Sequence, residues 1–192
     1  MRKIIREHEN PLDNINIDIS DKLCPFFKKM NFTPNGITTL SLIFGIISII
    51  FLLKCNVLFF AITYYISYFF DCMDGHYARK YKMTSKGGDL YDHIKDVSIN
   101  FILALIILFY FKYPRNKKIV LIILIILMFT LMSIHLGCQE KIYDSDESST
   151  LNFTKNMCKN PEKYIKFTRF FGCATWTIFI ILVVIYVNKI KK

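Results

Sequence analysis

Four aspartates with regular spacing mark one segment of the chain as a place where chemistry could be built. Asp71 and Asp74 are three residues apart, and Asp92 and Asp96 are four residues apart. On helices, each of these spacings places both carboxylates on the same face. The stretch 80–87 between the two pairs is short and polar. We therefore expect two antiparallel helices whose acidic faces meet near a membrane surface.

Carboxylates gathered in this way need a cation between them, because unpaired charges beside a bilayer are costly. Hard oxygen ligands favour Mg²⁺, Mn²⁺ or Ca²⁺ over zinc. Two divalent ions about 4 Å apart would suit this many carboxylates and would support phosphoryl transfer. The plainer alternative is that the aspartates lie in interfacial water and pair with nearby lysines, namely Lys80, Lys82, Lys86 and Lys95.

The elements that carry these residues are expected to be membrane-spanning helices. Of the 192 residues, 53% are hydrophobic and 21% are charged, and the long uncharged runs exclude a disordered chain and an ordinary soluble enzyme. A span needs about 20 apolar residues, and five segments approach that length: 36–53, 55–70, 89–111, 119–139 and 170–188. We predict an all-α polytopic bundle of five to six transmembrane helices. Residues 30–192 form the membrane domain, and 1–29 form a cytosolic segment that can hold an interfacial helix.

The charge of the chain favours a membrane as its anionic partner. Lys and Arg number 25 against 15 Asp and Glu, a net charge of +10, and with this hydrophobicity the membrane is favoured over nucleic acid. The positive-inside rule places 2–29 and 79–86 in the cytosol, and with them the acidic cluster. Alternation of five spans then puts 140–169 in the cytosol and leaves the basic turn 112–118 outside, against that rule. The six cysteines form no CxxC pair and are expected to be reduced thiols.

Every fixed position of the pattern D-x2-D-G-x2-A-R-x8-G-x3-D-x3-D is present between residues 71 and 96. This pattern resembles the signature of the CDP-alcohol phosphatidyltransferase family, and Thr33-Pro34-Asn35 at the first span is also similar to family members. The resemblance implies a membrane enzyme with six core helices, usually a homodimer, that uses two Mg²⁺ or Mn²⁺ ions. In phospholipid synthesis it would move a substituted phosphate group from a CDP-alcohol to the hydroxyl of an acceptor alcohol and release CMP.

The resemblance also implies roles for the matched residues. The metal ligands would be Asp71, Asp74, Asp92 and Asp96, and Asp96 would also be the general base that takes the proton of the acceptor hydroxyl. The residues expected to border the nucleotide are Gly75, Ala78, Arg79, Gly88 and, outside the pattern, Asn35. Lys82 and Lys86 are candidates for binding a phosphate of the acceptor or of a lipid headgroup, although the positive-inside rule alone would place lysines there.

The sequence does not decide which donor and which acceptor are the substrates. The short chain favours transfer from CDP-diacylglycerol to a polar alcohol such as inositol, serine or glycerol phosphate. The segment 90–96 instead resembles the branch that transfers phosphocholine or phosphoethanolamine to diacylglycerol. A divalent-cation transporter would hold its site near the bilayer midplane, whereas these acids lie at span ends. We expect the endoplasmic reticulum membrane for a eukaryotic or viral source and the inner membrane for a bacterial one.

Overall fold

The computed structural model describes residues 2–143 and 152–190, and every regular element within these ranges is a helix. The long helices are α1 (Pro11–Lys29), α2 (Pro34–Leu53), α3 (Val57–Lys80), α4 (Lys86–Leu105) and α5 (Arg115–Tyr143). A short α6 (Asn152–Lys155) is followed by α7 (Pro161–Thr168) and α8 (Cys173–Ile190). The all-α prediction is confirmed.

Five segments of the described chain are long and apolar enough to cross a membrane. They are α2, α3, α4 with the π-helical turn Ile106–Tyr110, α5, and the segment Pro161–Ile190. In this last segment, the 3₁₀ turn Arg169–Phe171 joins α7 to α8. The fourth and fifth segments extend beyond the predicted 119–139 and 170–188 because their polar ends remain helical outside the apolar run. The described residues thus contain five candidate spans, the lower of the two numbers of transmembrane helices predicted from the sequence.

The first helix, α1, turns polar side chains towards the bundle and apolar ones outwards. It begins where the side chain of Asn10 accepts a hydrogen bond from the backbone N–H of Leu12 at 2.9 Å. Its buried residues are polar or small: Asp13, Asn14, Asn16, Ser20 and Cys24. Its exposed hydrophobic residues recur at helical spacing: Ile15, Ile19, Leu23 and Phe26. An outward apolar stripe is what a helix lying in a membrane interface needs.

Helix α2 packs against both α3 and α4, and small side chains allow that close approach. Its buried face includes the small residues Thr38, Ser41, Gly45 and Ser48. A Cβ added at Gly45 would lie 3.1 Å from Ile99 of α4 and 3.2 Å from Ser67 of α3. Small residues favour helix association in lipid because they bring the backbones together. Helix α8 also packs against α3.

The expectation of six reduced thiols is wrong for two of them, because Cys138 and Cys158 form a disulfide. Cys138 lies near the end of α5, and the chain that follows returns to it through α6. A Cβ on Gly137 would lie 2.0 Å from the carbonyl oxygen of Thr154, so only glycine permits this return. The cysteines at positions 24, 55, 72 and 173 are free.

The N-terminal segment, the α3–α4 turn and the end of α5 lie at one end of the bundle, which we name the α1 end. Lys3 forms an ion pair with Glu140 at 2.6 Å, and Nδ1 of His8 is 2.9 Å from the hydroxyl of Tyr143. The turns 54–56 and 111–114 lie at the opposite end, the far end. The segments 2–29, 79–86 and 140–143 therefore share one end of the bundle, as the alternation of spans predicts.

Candidate active site

A tight connection sets α3 and α4 side by side in opposite directions. Helix α3 ends at Lys80, and the turn that follows holds Lys82 with φ at 55°. The side chain of Ser85 caps α4 by accepting a hydrogen bond from the N–H of Gly88 at 3.1 Å. The predicted hairpin is present, although the backbone of α4 packs mainly against α2 rather than α3. This spacing leaves room for polar side chains between α3 and α4.

Three of the four predicted carboxylates meet in that space. Oxygen atoms of Asp71, Asp74 and Asp92 all lie within 4.8 Å of one another. Such a set of hard oxygen donors fits one Mg²⁺ or Mn²⁺ ion, because these ions prefer carboxylates. Asp96 is not one of these three residues. It lies one turn further along α4, and its side chain is 46% exposed.

Asp74 is the most buried of the three, with 4% exposure, and α2 orients it. The hydroxyl of Thr38 donates a hydrogen bond to Oδ2 of Asp74 at 2.5 Å. Thr38 was not among the residues predicted to form the site. The signal was present, because Thr38 begins the small-residue spacing that continues through Ser41 and Gly45 along α2. That pattern indicated the helix contact, but not which α3 residue it would reach.

A lysine lies among the carboxylates. The amino group of Lys95 contacts Asp71 and lies 2.9 Å from oxygens of both Asp92 and Asp96. It also donates to the hydroxyl of Ser41 at 3.2 Å. In the sequence, Lys95 was only one of four lysines that could pair with the acids. Its position three residues after Asp92 already placed it on the acidic face of α4.

Two glycines give the site flat surfaces at its α1 end. A Cβ on Gly75 would lie 3.3 Å from the guanidinium of Arg79, so the arginine head lies against the backbone there. A Cβ on Gly88 would lie only 2.9 Å from the side-chain oxygen of Asn35. The structure therefore brings Asn35 of α2 next to Gly88 of α4, although they are 53 positions apart. Ala78, the remaining predicted nucleotide neighbour, is buried.

The predicted phosphate-binding lysines lie around the α3–α4 turn. Lys82 and Lys86 are both exposed to solvent at the α1 end of the bundle. They are separate from the buried Lys95, so the four lysines considered together in the sequence fall into different environments. The exposed pair is accessible to a charged group that approaches from solvent.

Helix α1 holds the end of α3 through Asp21. Nζ of Lys80 donates to Oδ1 of Asp21 at 2.8 Å, and Nε2 of His76 is 2.9 Å from the same oxygen. Hydrogen bonds from Lys80 and then His76 lower the pKa of Asp21 to about 2. His76, which lies inside the motif, therefore faces α1 rather than the carboxylate cluster. This contact fixes the last turn of the helix that carries Asp71 and Asp74.

A model of the CDP-alcohol phosphatidyltransferase family matches residues 31–190, which is most of the chain. The chain belongs to the CDP-alcohol phosphatidyltransferase family. It is therefore a transferase of the phosphotransferase type, from a family that transfers phospholipid headgroups and generally depends on divalent metal. Neither a comparison with curated proteins nor one with solved structures gave a match. The family match begins after α1, whereas the acidic cluster and all eight motif residues lie within it.

Proposed function

We propose that this phosphatidyltransferase moves the phosphatidyl group of CDP-diacylglycerol to the hydroxyl of a polar alcohol and releases CMP. The observation that carries the proposal is the meeting of Asp71, Asp74 and Asp92 within 4.8 Å, at the end of a hairpin bearing the whole family motif. The described residues contain five candidate spans and this cluster at the α1 end, so its polar groups would lie where a nucleotide can arrive from solvent and a lipid donor from the bilayer.

The three clustered aspartates are proposed to hold a divalent ion, Mg²⁺ or Mn²⁺. Such an ion supplies positive charge against the pyrophosphate of a CDP-alcohol. Thr38 fixes Asp74 for this role, and the buried position of Asp74 keeps its carboxylate in one orientation. Asp71 and Asp92 approach from the two different helices, so the hairpin must stay closed for the set to be complete.

Asp96 is proposed as the general base. Its carboxylate is the most accessible of the four, and it can take the proton of the acceptor hydroxyl. The hydroxyl oxygen then forms a bond to the β-phosphorus, the bond from that phosphorus to the bridging oxygen breaks, and CMP leaves with that oxygen. The contact with Lys95 holds the Asp96 side chain towards the cluster.

The nucleotide is proposed to lie along the glycines at the α1 end of the hairpin. Gly75 and Gly88 leave open backbone, and Arg79 presents a planar fork that suits phosphate oxygens. Ala78 and Asn35 would border the same moiety. Lys82 and Lys86, exposed beside it, would attract the phosphate of an acceptor or of a lipid headgroup.

The test is CMP release by the purified full chain in lipid, with Mg²⁺ or Mn²⁺ and a panel of donors and acceptors. CDP-diacylglycerol is paired with inositol, serine and glycerol phosphate, and CDP-choline and CDP-ethanolamine are paired with diacylglycerol. We expect CMP from a CDP-diacylglycerol pair, and none after chelation. CMP only from the choline or ethanolamine donors would move the chain to the other branch. No CMP from any pair would overturn the catalytic proposal.

The α1 end, with the active site, is proposed to face the cytosol, with the stripe of α1 in the membrane interface. The basic residues in 2–29 and 79–86 support this orientation. The Cys138–Cys158 pair lies at the same end and provides a test, because disulfides persist in oxidising compartments and are rare in the cytosol. With the α1 end in the cytosol, thiol labelling of intact cells should find both cysteines reduced, and the disulfide of the structure would form only under oxidising conditions. A pair that is oxidised in cells would contradict the cytosolic orientation.

A further inference from the structure

We propose that the ammonium group of Lys95 is the resident second cation of the active site, so that the free enzyme binds one divalent ion per chain instead of two. This inference rests on the proposed function, since it concerns the same carboxylates. It assigns a positioning role to a residue that lies within the motif but is not one of its fixed letters.

The contacts of Lys95 are those of a bridging cation. Its amino group touches carboxylates from two helices, Asp71 on α3 and both Asp92 and Asp96 on α4. A lysine head has three hydrogens to donate and no acceptor, and here they are shared among these three carboxylates and the hydroxyl of Ser41. The side chain is only 2% exposed, so the contact is made inside the bundle.

Two features of the chain hold Lys95 in this place. On α4 it lies three residues after Asp92, so helix geometry places these two side chains on one face, and the structure adds a contact with the adjacent Asp96 at 2.9 Å. On its other side, the hydroxyl of Ser41 accepts from the ammonium at 3.2 Å. A buried ammonium without such partners would be costly, and the structure gives it polar partners from α2, α3 and α4.

The charges of the side chains in the site also indicate one divalent ion. Four carboxylates face one ammonium, which leaves enough negative charge for one divalent ion among Asp71, Asp74 and Asp92. A second divalent ion between Asp71, Asp92 and Asp96 would have to occupy the place of the ammonium. Two cations cannot share it, because like charges at contact distance repel strongly where water is excluded.

The cation that occupies the position between Asp71, Asp92 and Asp96 also affects how Asp96 can act as a base. The ammonium of Lys95 lies 2.9 Å from Oδ1 of Asp96, and a carboxylate held by one such contact has further lone pairs that can accept a proton. Lys95 therefore orients the proposed base and leaves it able to accept a proton.

The test counts Mn²⁺ bound to the full chain in lipid nanodiscs, without nucleotide, by the loss of the free-ion EPR signal. The wild-type protein should bind one Mn²⁺ with an uncoupled spectrum. Lys95→Met, which keeps the length of the side chain and removes its charge, should bind two with a spin-coupled spectrum. Lys95→Arg should bind one. The control is Lys80→Met, which removes the same charge at the α1 end but from the pair with Asp21, and which should also bind one.

The outcomes separate this inference from the proposed function. Two coupled ions in the wild-type protein, or one ion in both the wild type and Lys95→Met, would overturn the role of Lys95 and leave the catalytic proposal intact. No bound Mn²⁺ in any variant would overturn the metal site itself. Where Lys95→Met fails to fold, the wild-type count and its spectrum decide the matter.

Discussion

The two ends of the helical bundle are stabilised by different kinds of interaction. The far end is built on an apolar cluster contributed by five helices, including Leu52, Phe60, Leu103, Ile107, Leu121, Val184 and Val187. The α1 end has two smaller apolar clusters, one around Ile37, Met73 and Tyr77 and one around Cys138, Cys158 and Ile165. Ion pairs, hydrogen bonds and a disulfide supply the remaining contacts there.

The difference follows from what each end has to hold. Apolar packing tolerates exchange among side chains of similar volume. The far end therefore depends on the volume of its side chains more than on their exact orientation. Carboxylates that must converge to within a few ångströms need partners with fixed geometry, and Thr38, Lys95 and Asp21 are such partners. Changes to the side chains that position the aspartates should therefore alter activity, and changes in the apolar cluster of the far end should alter stability alone.

Outside the metal-binding aspartates, the largest expected effect at the α1 end comes from Asp96→Asn. Loss of a general base lowers a rate by about 10² to 10⁴-fold, which is about 3 to 5 kcal/mol in the barrier. The rate of CMP release should fall by this amount, while binding of the CDP-alcohol donor and the melting temperature stay near those of the wild-type protein. A rate within a factor of about two of wild type would show that Asp96 is not the base.

Reduction of Cys138–Cys158 should have the next largest effect, and on stability. The bond closes a separation of 20 residues, and in the chain-entropy model a loop of that size stabilises the fold by about 3 kcal/mol. The oxidised protein should lose thermal stability on reduction, and Cys138→Ser should match the reduced form. Cys55→Ser, an exposed thiol at the far end, is the control. An unchanged melting temperature on reduction would mean that the bond adds nothing to the fold.

At the far end, Leu103→Ala should lower the free energy of unfolding and spare catalysis. Leu103 is 1% exposed within the apolar cluster. The expected loss is about 2 kcal/mol, the low end for a buried leucine, because only packing is lost when the reference state is in lipid. Below the melting temperature, CMP release should be unchanged. Phe101→Ala on the same helix, with 61% exposure, should change neither quantity, and loss of activity without loss of stability at Leu103 would contradict the division between the ends.

A pH dependence of stability is also expected at the α1 end. Burial, and then the charge of Asp13, raise the pKa of Glu9 from 4.5 to about 7. A raised carboxyl pKa favours the protonated form in the fold, so its contribution is complete below pH 4.5 and is lost as the pH rises through 7. The melting temperature should fall between pH 5 and pH 8, and Glu9→Gln should flatten that slope. An equal slope in the variant would assign the effect to another group.

Features that depend only on the spacing of residues within one helix could be predicted from the sequence. The pairs Asp71–Asp74 and Asp92–Asp96, and the five apolar segments, follow from local periodicity, and the structure confirms both the helices and the meeting of three aspartates. The same rule put Lys95 beside Asp92, but its contact with Asp71 depends on the register between α3 and α4. That register is set by packing on α2, which no local pattern specifies.

Two other features were beyond local rules for the same reason. The disulfide requires the chain after α5 to return to Gly137, and nothing in the residues near Cys138 or Cys158 fixes that path. The buried face of α1 could not be recognised from its sequence, because it is formed by polar residues such as Asp13, Asn14 and Asn16 rather than by hydrophobic ones. Patterns of hydrophobic residues predict apolar interfaces, whereas a polar interface is recognised only once its partners are in place.

The most direct test of the aspartate cluster makes the same substitution, Asp to Asn, at two positions and compares the results. Asp74→Asn removes a carboxylate within the cluster, and Asp89→Asn removes one from the first turn of α4, beside His93. CMP release is measured for both with Mn²⁺ and the donor and acceptor that the wild-type protein uses. The account predicts that Asp74→Asn is inactive and Asp89→Asn keeps wild-type activity. Wild-type activity in Asp74→Asn would contradict it.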